Sequence, residues 1–228
     1  MKPVSRNSKL VRMVLVRLIF SFLALAAAFF LPAGSLNYWQ AWAYLAVLFI
    51  PFCFALVYLV RNHPDLLERR MRYHEREKEQ QLIVKLSIFT FALAYILPGL
   101  DYRFGWSQVP VWLVWVSLAV VLASYFFVVS VFRTNQYASR IVEVEQEQTV
   151  ISSGPYALVR HPMYFGTVIM YVFSPLALGS YWSIIPALFI FPVLIFRLLN
   201  EEKVLERDLK GYREYEAKVK YHLFPGIW

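Results

Sequence analysis

Two clusters of polar residues in the C-terminal half contain the side chains that could carry chemistry. The first, an Arg-His-Pro tripeptide at 160–162, joins a permanent cation to an imidazole that can donate or accept a proton. The second follows an apolar run and contains Arg197, Glu201 and Glu202. On a helix, Arg197 and Glu201 would share a face and could pair. Glu202 would point about 100° away and could serve a different partner.

The motifs of common soluble enzymes are absent from the sequence. It contains no Gly-x-Gly-x-x-Gly after a strand, no Gly-rich phosphate loop, no His-Glu-x-x-His and no nucleophile elbow. His63 and His74 do not show a metal-ligand spacing. The single cysteine, Cys53, excludes a disulfide framework and a Cys-rich zinc site. We therefore expect no metal.

The composition predicts a membrane protein. Of the 228 residues, 59% are hydrophobic and 18% are aromatic. The net charge is +8, but the basic residues flank apolar segments, which favours membrane orientation over nucleic-acid binding. We therefore expect membrane lipids, and no nucleic acid, around this chain.

Six apolar runs are long enough, or nearly so, to cross a bilayer as helices. They cover 11–31, 38–60, 83–100, 110–132, 163–179 and 181–199. The last two are short and would form a hairpin. Apolar residues at three- and four-residue steps predict a C-terminal amphipathic helix from Asn200 to about Tyr221. The predicted fold class is an all-α integral membrane protein with about six transmembrane helices.

These segments divide the chain into an N-terminal membrane bundle, 1–132, and a C-terminal core, 133–228, that would bind a cofactor. The bundle has four spans and a predicted cytoplasmic helix near 64–80. With six spans, every Lys and Arg except Arg103 lies on one face, which the positive-inside rule makes cytoplasmic. Both termini should then be cytoplasmic, in a bacterial inner membrane or, in a eukaryote, the endoplasmic reticulum.

Both polar clusters also have plain structural explanations. Arg197 could anchor the last span by snorkelling, and Glu201 and Glu202 could begin a solvated helix. The residues at 160–161 could contact lipid headgroups. The six-span layout nevertheless brings both clusters to the same end of one hairpin, and clustered ionisable groups at membrane depth are functional candidates.

The polar residues also form a spaced pattern over about 135–220. It consists of Gly154-Pro155-Tyr156, Arg160-His161-Pro162-Met163-Tyr164, Gly166, Glu201-Glu202, Tyr212 and Tyr215. This pattern resembles the isoprenylcysteine carboxyl methyltransferase family and the related membrane phospholipid methyltransferases. The first two spans and the connection at 61–85 lie outside it.

The resemblance implies that S-adenosylmethionine binds in a cytosol-facing pocket. The implied cofactor-binding residues are Tyr156, Arg160, His161, Pro162, Tyr164, Gly166 and Glu202. Arg197 and Glu201 would stand as catalytic residues near the reacting end of the substrate. The residue types are compatible, because a zwitterionic amino acid end needs a cation and an anion, and aromatic rings stabilise a sulfonium.

The function expected from this resemblance is S-adenosylmethionine-dependent methyl transfer to a lipid-like or prenylated acceptor. Arg197 could hold a carboxylate acceptor, which needs no base, whereas an amine acceptor would need Glu201 as base. One alternative is an NADPH-dependent enzyme similar to the sterol-type reductases. Another is a non-catalytic membrane scaffold or transporter, although no charged residue falls in the middle of a span. The sequence leaves the acceptor and the oligomeric state open.

Overall fold

The chain folds as a bundle of helices. The structure, a computed structural model, describes residues 4–62, 67–68, 78–135, 137, 144 and 148–228, and within them it contains no strand. The helices are α1 (Val4–Ala33), α2 (Trp39–Asn62), α3 (Lys78–Phe104), α4 (Val111–Thr134), α5 (Pro162–Ala177), α6 (Ile184–Leu188), α7 (Ile190–Asp208) and α8 (Tyr212–Lys218), with a 3-10 turn at Gly154–Ala157. The predicted all-α membrane fold is confirmed.

Four helical segments within the described residues are long and apolar enough to cross a membrane. They are Val11–Ala33, Trp39–Asn62, Val111–Thr134 and Ile184–Asp208. The apolar helix α5 is shorter. Large apolar side chains such as Phe20, Phe54 and Trp112 are exposed on the surface, as lipid-facing side chains are. Six crossings, which would also include α3 and α5, stay a prediction.

A buried aromatic and polar cluster joins the first four helices to α5. The ring of Phe29 lies edge-on to that of Tyr44, with centroids 5.9 Å apart. The hydroxyl of Tyr44 lies 2.7 Å from the hydroxyl of Tyr95 and 2.6 Å from Oγ of Ser174. Because these hydroxyls satisfy one another, they can be buried at low cost and they tie α2, α3 and α5 together.

At one end of the bundle, a buried carboxylate connects two loops. Asp101 is 1% exposed and accepts hydrogen bonds from the backbone N–H of Ser107 at 2.7 Å and from its hydroxyl at 2.6 Å. The hydroxyl of Ser180 also donates to Asp101. Nearby, the hydroxyl of Tyr38 donates to the carbonyl of Leu178. The α3–α4 loop and the turn after α5 are therefore held together at this end.

The predicted hairpin is present, but its second arm is broken. Helix α6 ends at Leu188 and α7 begins at Ile190. Pro192 has no backbone N–H to donate to the carbonyl of Leu188, so the helical hydrogen-bond ladder is interrupted at this point.

The prediction of one amphipathic helix from Asn200 to about Tyr221 is wrong in its boundaries. Helix α7 continues from the apolar segment to Asp208, and α8 starts only at Tyr212. Between them, Gly211 has φ 87°, a left-handed conformation in which a side chain is strained. The predicted apolar face is nevertheless buried in one cluster, formed by Leu209, Tyr212, Tyr215 and Val219 with Leu205, Val144, Val150 and Tyr156.

Two further predictions concern the connection after α2 and the division of the chain into two parts. Most of the predicted cytoplasmic helix near 64–80 lies outside the described residues. The division into a bundle at 1–132 and a core at 133–228 stays a prediction, although the contacts of Tyr44 with Ser174 show that the two parts pack together.

The arrangement of the loops makes the predicted topology testable. Asn37 is exposed at the end of the bundle that carries Asp101, whereas Ser152 is exposed in the connection leading to α5. In a Cys53→Ala background, we expect an impermeant maleimide added to intact cells to label Asn37→Cys. Ser152→Cys should react only after permeabilisation. The reverse pattern, or labelling of both sites from outside, would contradict cytoplasmic termini with an even number of spans.

Candidate functional site

The two polar clusters identified in the sequence meet around one buried carboxylate. Arg160, His161 and Glu202 are only 5%, 6% and 4% exposed. Nε2 of His161 lies 3.0 Å from Oε1 of Glu202. Nε of Arg160 also lies 3.0 Å from this oxygen, as an ion pair without hydrogen-bond alignment. The hydroxyl of Tyr212 approaches the same oxygen at 3.4 Å. A charge this deeply buried is tolerated only because it is paired.

The sequence around Pro162 explains why His161 faces this carboxylate. Pro162 occupies the first position of α5, where its missing N–H breaks no helical hydrogen bond. A following proline disfavours the helical conformation, and His161 has φ −124° and ψ 63°. The imidazole is thus held outside the helix, beside Glu202 on α7.

The C-terminal segment contributes two partners that the sequence did not reveal. The guanidinium of Arg160 forms an ion pair with Glu216, and Nη2 of Arg160 lies 2.7 Å from each ring nitrogen of His222. Nδ1 of His222 lies 3.0 Å from Oε2 of Glu202. Arg160 is therefore committed to protein partners on three sides.

Backbone hydrogen bonds fix this segment against the start of α5. The N–H of Arg160 donates to the carbonyl of Tyr221 at 2.9 Å, and that of His161 donates to the carbonyl of His222 at 3.0 Å. The ring of Trp228 stacks on His222, with centroids 4.6 Å apart and an angle of 21°. The aromatic run around a Pro-Gly turn at 222–228 was a signal that this segment packs against the protein.

A second network lies on the other side of His161. Nε of Arg197 donates to the hydroxyl of Tyr164 at 3.1 Å, and this hydroxyl donates to Oε2 of Glu201 at 2.6 Å. The sequence suggested that Arg197 and Glu201 pair on one helical face, and the structure shows the hydroxyl of Tyr164 between them. The rings of His161 and Tyr164 stack with centroids 5.7 Å apart, so the two networks adjoin.

Tyr156 and Gly166, also predicted to bind the cofactor, have other contacts. The hydroxyl of Tyr156 accepts a hydrogen bond from Nδ2 of Asn135 at 2.9 Å, and its carbonyl accepts one from Tyr215 at 2.8 Å. A Cβ on Gly166 would lie 2.6 Å from Cγ2 of Val128. Close packing of α5 on α4 is therefore sufficient to explain this glycine.

The environment of His222 determines its charge. Burial lowers its pKa and the charge of Arg160 lowers it further, whereas the carboxylate of Glu202 acts in the opposite direction and does not prevail. His222 is therefore neutral at pH 7, where one ring nitrogen can accept a hydrogen bond from Arg160. Among the described residues, no group of three His, Cys, Asp or Glu side chains could hold a metal ion.

The lowered pKa of His222 predicts how stability changes with pH. Below the ordinary pKa of 6.5, the unfolded chain binds a proton at His222 more readily than the folded chain. The free energy of unfolding should thus fall as the pH drops below this value. In detergent, we expect His222→Gln to reduce this loss of stability, and His74→Gln not to reduce it. If the free energy of unfolding changed equally with pH in the wild type and in His222→Gln, His222 would not be the group responsible.

Comparison with known protein families gives a match in the C-terminal half. The family model of the phospholipid methyltransferases matches residues 112–210. No curated protein matches this chain. The matched region runs from the start of α4 to the turn after α7, so it contains both polar clusters but neither His222 nor the first three helices. Residues 112–210 are therefore similar to the phospholipid methyltransferase family, one of the two families that the sequence pattern resembles.

Proposed function

We propose that this chain is an integral membrane methyltransferase that uses S-adenosylmethionine to methylate a lipid-like or prenylated acceptor. The family match supports methyl transfer in general, and the apolar helices support a membrane location. The observation that carries the proposal is the junction of two ionic networks within the matched region, one around Glu202 and one around Tyr164. A methyl donor and its acceptor need two such adjoining sites.

The network around Glu202 suits the donor. When bound, S-adenosylmethionine supplies an electrophilic methyl group on a sulfonium, and its amino acid end carries both charges. Glu202 and His161 are paired with each other here; when the cofactor binds, Glu202 would face the ammonium and the imidazole of His161 would turn to donate to the carboxylate. The rings of Tyr164 and Tyr212 lie around this pair and suit a cation or a flat base.

Arg160 has a supporting part in this proposal. Its guanidinium is already bound to Glu202, Glu216 and His222. It therefore positions Glu202 and holds the C-terminal segment, and does not itself contact the cofactor. Pro162 acts in the same indirect way, by keeping His161 out of the helix.

The network around Tyr164 suits the acceptor. Arg197 and Glu201 are partly exposed near the polar end of α7, where a head group can reach them. Phe196 and Leu199, on the same turns, are 65% and 38% exposed, so an apolar tail can lie beside them in lipid. Methyl transfer depends mainly on in-line positioning, which a guanidinium and a phenol held by one another can provide.

The two halves of the proposal can be separated by mutation. His161→Ala should weaken S-adenosylmethionine binding by roughly 1–3 kcal/mol, the cost of losing one charge-linked hydrogen bond. Arg197→Lys should keep this affinity but lose most turnover, since lysine lacks the planar fork. Affinity is measured by calorimetry, and turnover by transfer of tritiated methyl groups to a membrane lipid extract.

Arg207→Lys is the matched control, because Arg207 lies on the same helix with a side chain that is 62% exposed. It should change neither quantity. Unchanged cofactor affinity in a folded His161→Ala protein would place the cofactor elsewhere. Full turnover in Arg197→Lys would show that Arg197 does not position the acceptor and only anchors the helix at the membrane surface.

A further inference from the structure

A buried hydrogen-bond donor lies beside the proposed acceptor network without a partner. Nδ2 of Asn200 is buried and makes no hydrogen bond to any of the described residues. An amide nitrogen carries two donor hydrogens, and burying both without a partner destabilises a protein. Native proteins rarely retain such a group, so a ligand that accepts this hydrogen bond would explain why Asn200 is here.

The position of Asn200 on α7 associates it with Arg197. The two residues stand three positions apart on the helix, so their side chains border the same strip of its surface. Glu201 comes next in the chain, but its Oε2 already accepts the proton of Tyr164. The group left unsatisfied on this turn is therefore a donor, and it lies next to a permanent cation.

A neutral donor beside a guanidinium complements an oxyanion and disfavours an ammonium. We propose that Asn200 is a specificity-determining residue of the acceptor site, and that its Nδ2 donates to an oxygen of an anionic head group held by Arg197. The head group is a carboxylate or a phosphate on an apolar tail that lies beside Phe196 and Leu199. This inference rests on the proposed function and deepens it.

Methyl transfer to an anionic oxygen requires no base. The methyl–sulfur bond breaks as the new methyl–oxygen bond forms, the sulfonium becomes a neutral thioether, and the acceptor loses one negative charge. No proton is released, so Glu201 is not needed as a base. Its role would be to orient the hydroxyl of Tyr164, and through it Arg197.

Binding of labelled amphiphiles tests the inference directly. The purified full chain, in neutral detergent with and without S-adenosylhomocysteine, is titrated with tritiated oleate, lysophosphatidate and oleylamine. The wild type should prefer one of the two anions over the amine, and the preferred anion identifies the head group. Asn200→Leu should weaken binding of that anion roughly tenfold, as expected for a lost hydrogen bond to a charged group. Binding of oleylamine should not change.

Three controls make the outcome decisive. Arg207→Lys, on the same helix but with an exposed side chain outside the proposed site, should bind all probes like the wild type. Asn200→Leu should unfold at the same temperature as the wild type or higher, because a buried unpaired donor has been removed. Asn200→Asp supplies only acceptor oxygens, so it should weaken binding of the anion more than Asn200→Leu does.

The inference is overturned if the wild type shows no preference for an anion, or if Asn200→Leu binds it normally. It is also overturned if Asn200→Asp binds like the wild type, because the buried atom would then be the amide oxygen. The titration with S-adenosylhomocysteine reports on the proposed function separately, since it involves neither Asn200 nor the labelled probes.

Discussion

The C-terminal half of this protein depends on the compensation of one buried charge, the carboxylate of Glu202. Oxygen atoms so deeply buried need several donors or cations, and they receive them from Arg160, His161 and His222. These partners come from the start of α5 and from the C-terminal segment, so satisfying one carboxylate brings three distant parts of the chain together. Removing a single partner would leave this buried charge less fully compensated, which costs more than the contact itself contributes.

A second buried carboxylate, Asp101, acts by different chemistry at the opposite end of the hairpin. Its partners are hydroxyl and backbone N–H groups and not cations, and they join the loops that flank α4 and α6. The hairpin of α5 and α7 is thus held at both ends by polar contacts, with lipid-facing apolar surface between them. Such an arrangement allows the end around Glu202 to be a precise site even though membrane helices have little hydrophobic driving force to pack.

The sequence predicted those features that depend on local pattern. Apolar runs gave the helices, and the spacing of Arg197, Glu201 and Glu202 placed these residues on one helix with distinct directions. It could not predict that the hydroxyl of Tyr164 would stand between Arg197 and Glu201, because this requires the depth at which α5 packs on α7. His222 was missed for the same reason: a single histidine in a tail gains meaning only when the chain folds back. The sequence pattern also did not reveal the break between α7 and α8, because apolar residues continue at helical spacing across it.

The central claim is that the buried pair of Glu202 and His161 serves a sulfonium cofactor. Binding of this cofactor would also distinguish the proposed methyltransferase from a reductase that would use NADPH and from a non-catalytic membrane protein. The most direct measurement is calorimetric titration of the purified chain with S-adenosylhomocysteine and, separately, with NADPH. The account predicts saturable binding of S-adenosylhomocysteine and none of NADPH. Binding of NADPH instead, or of neither compound by a folded protein, would contradict it.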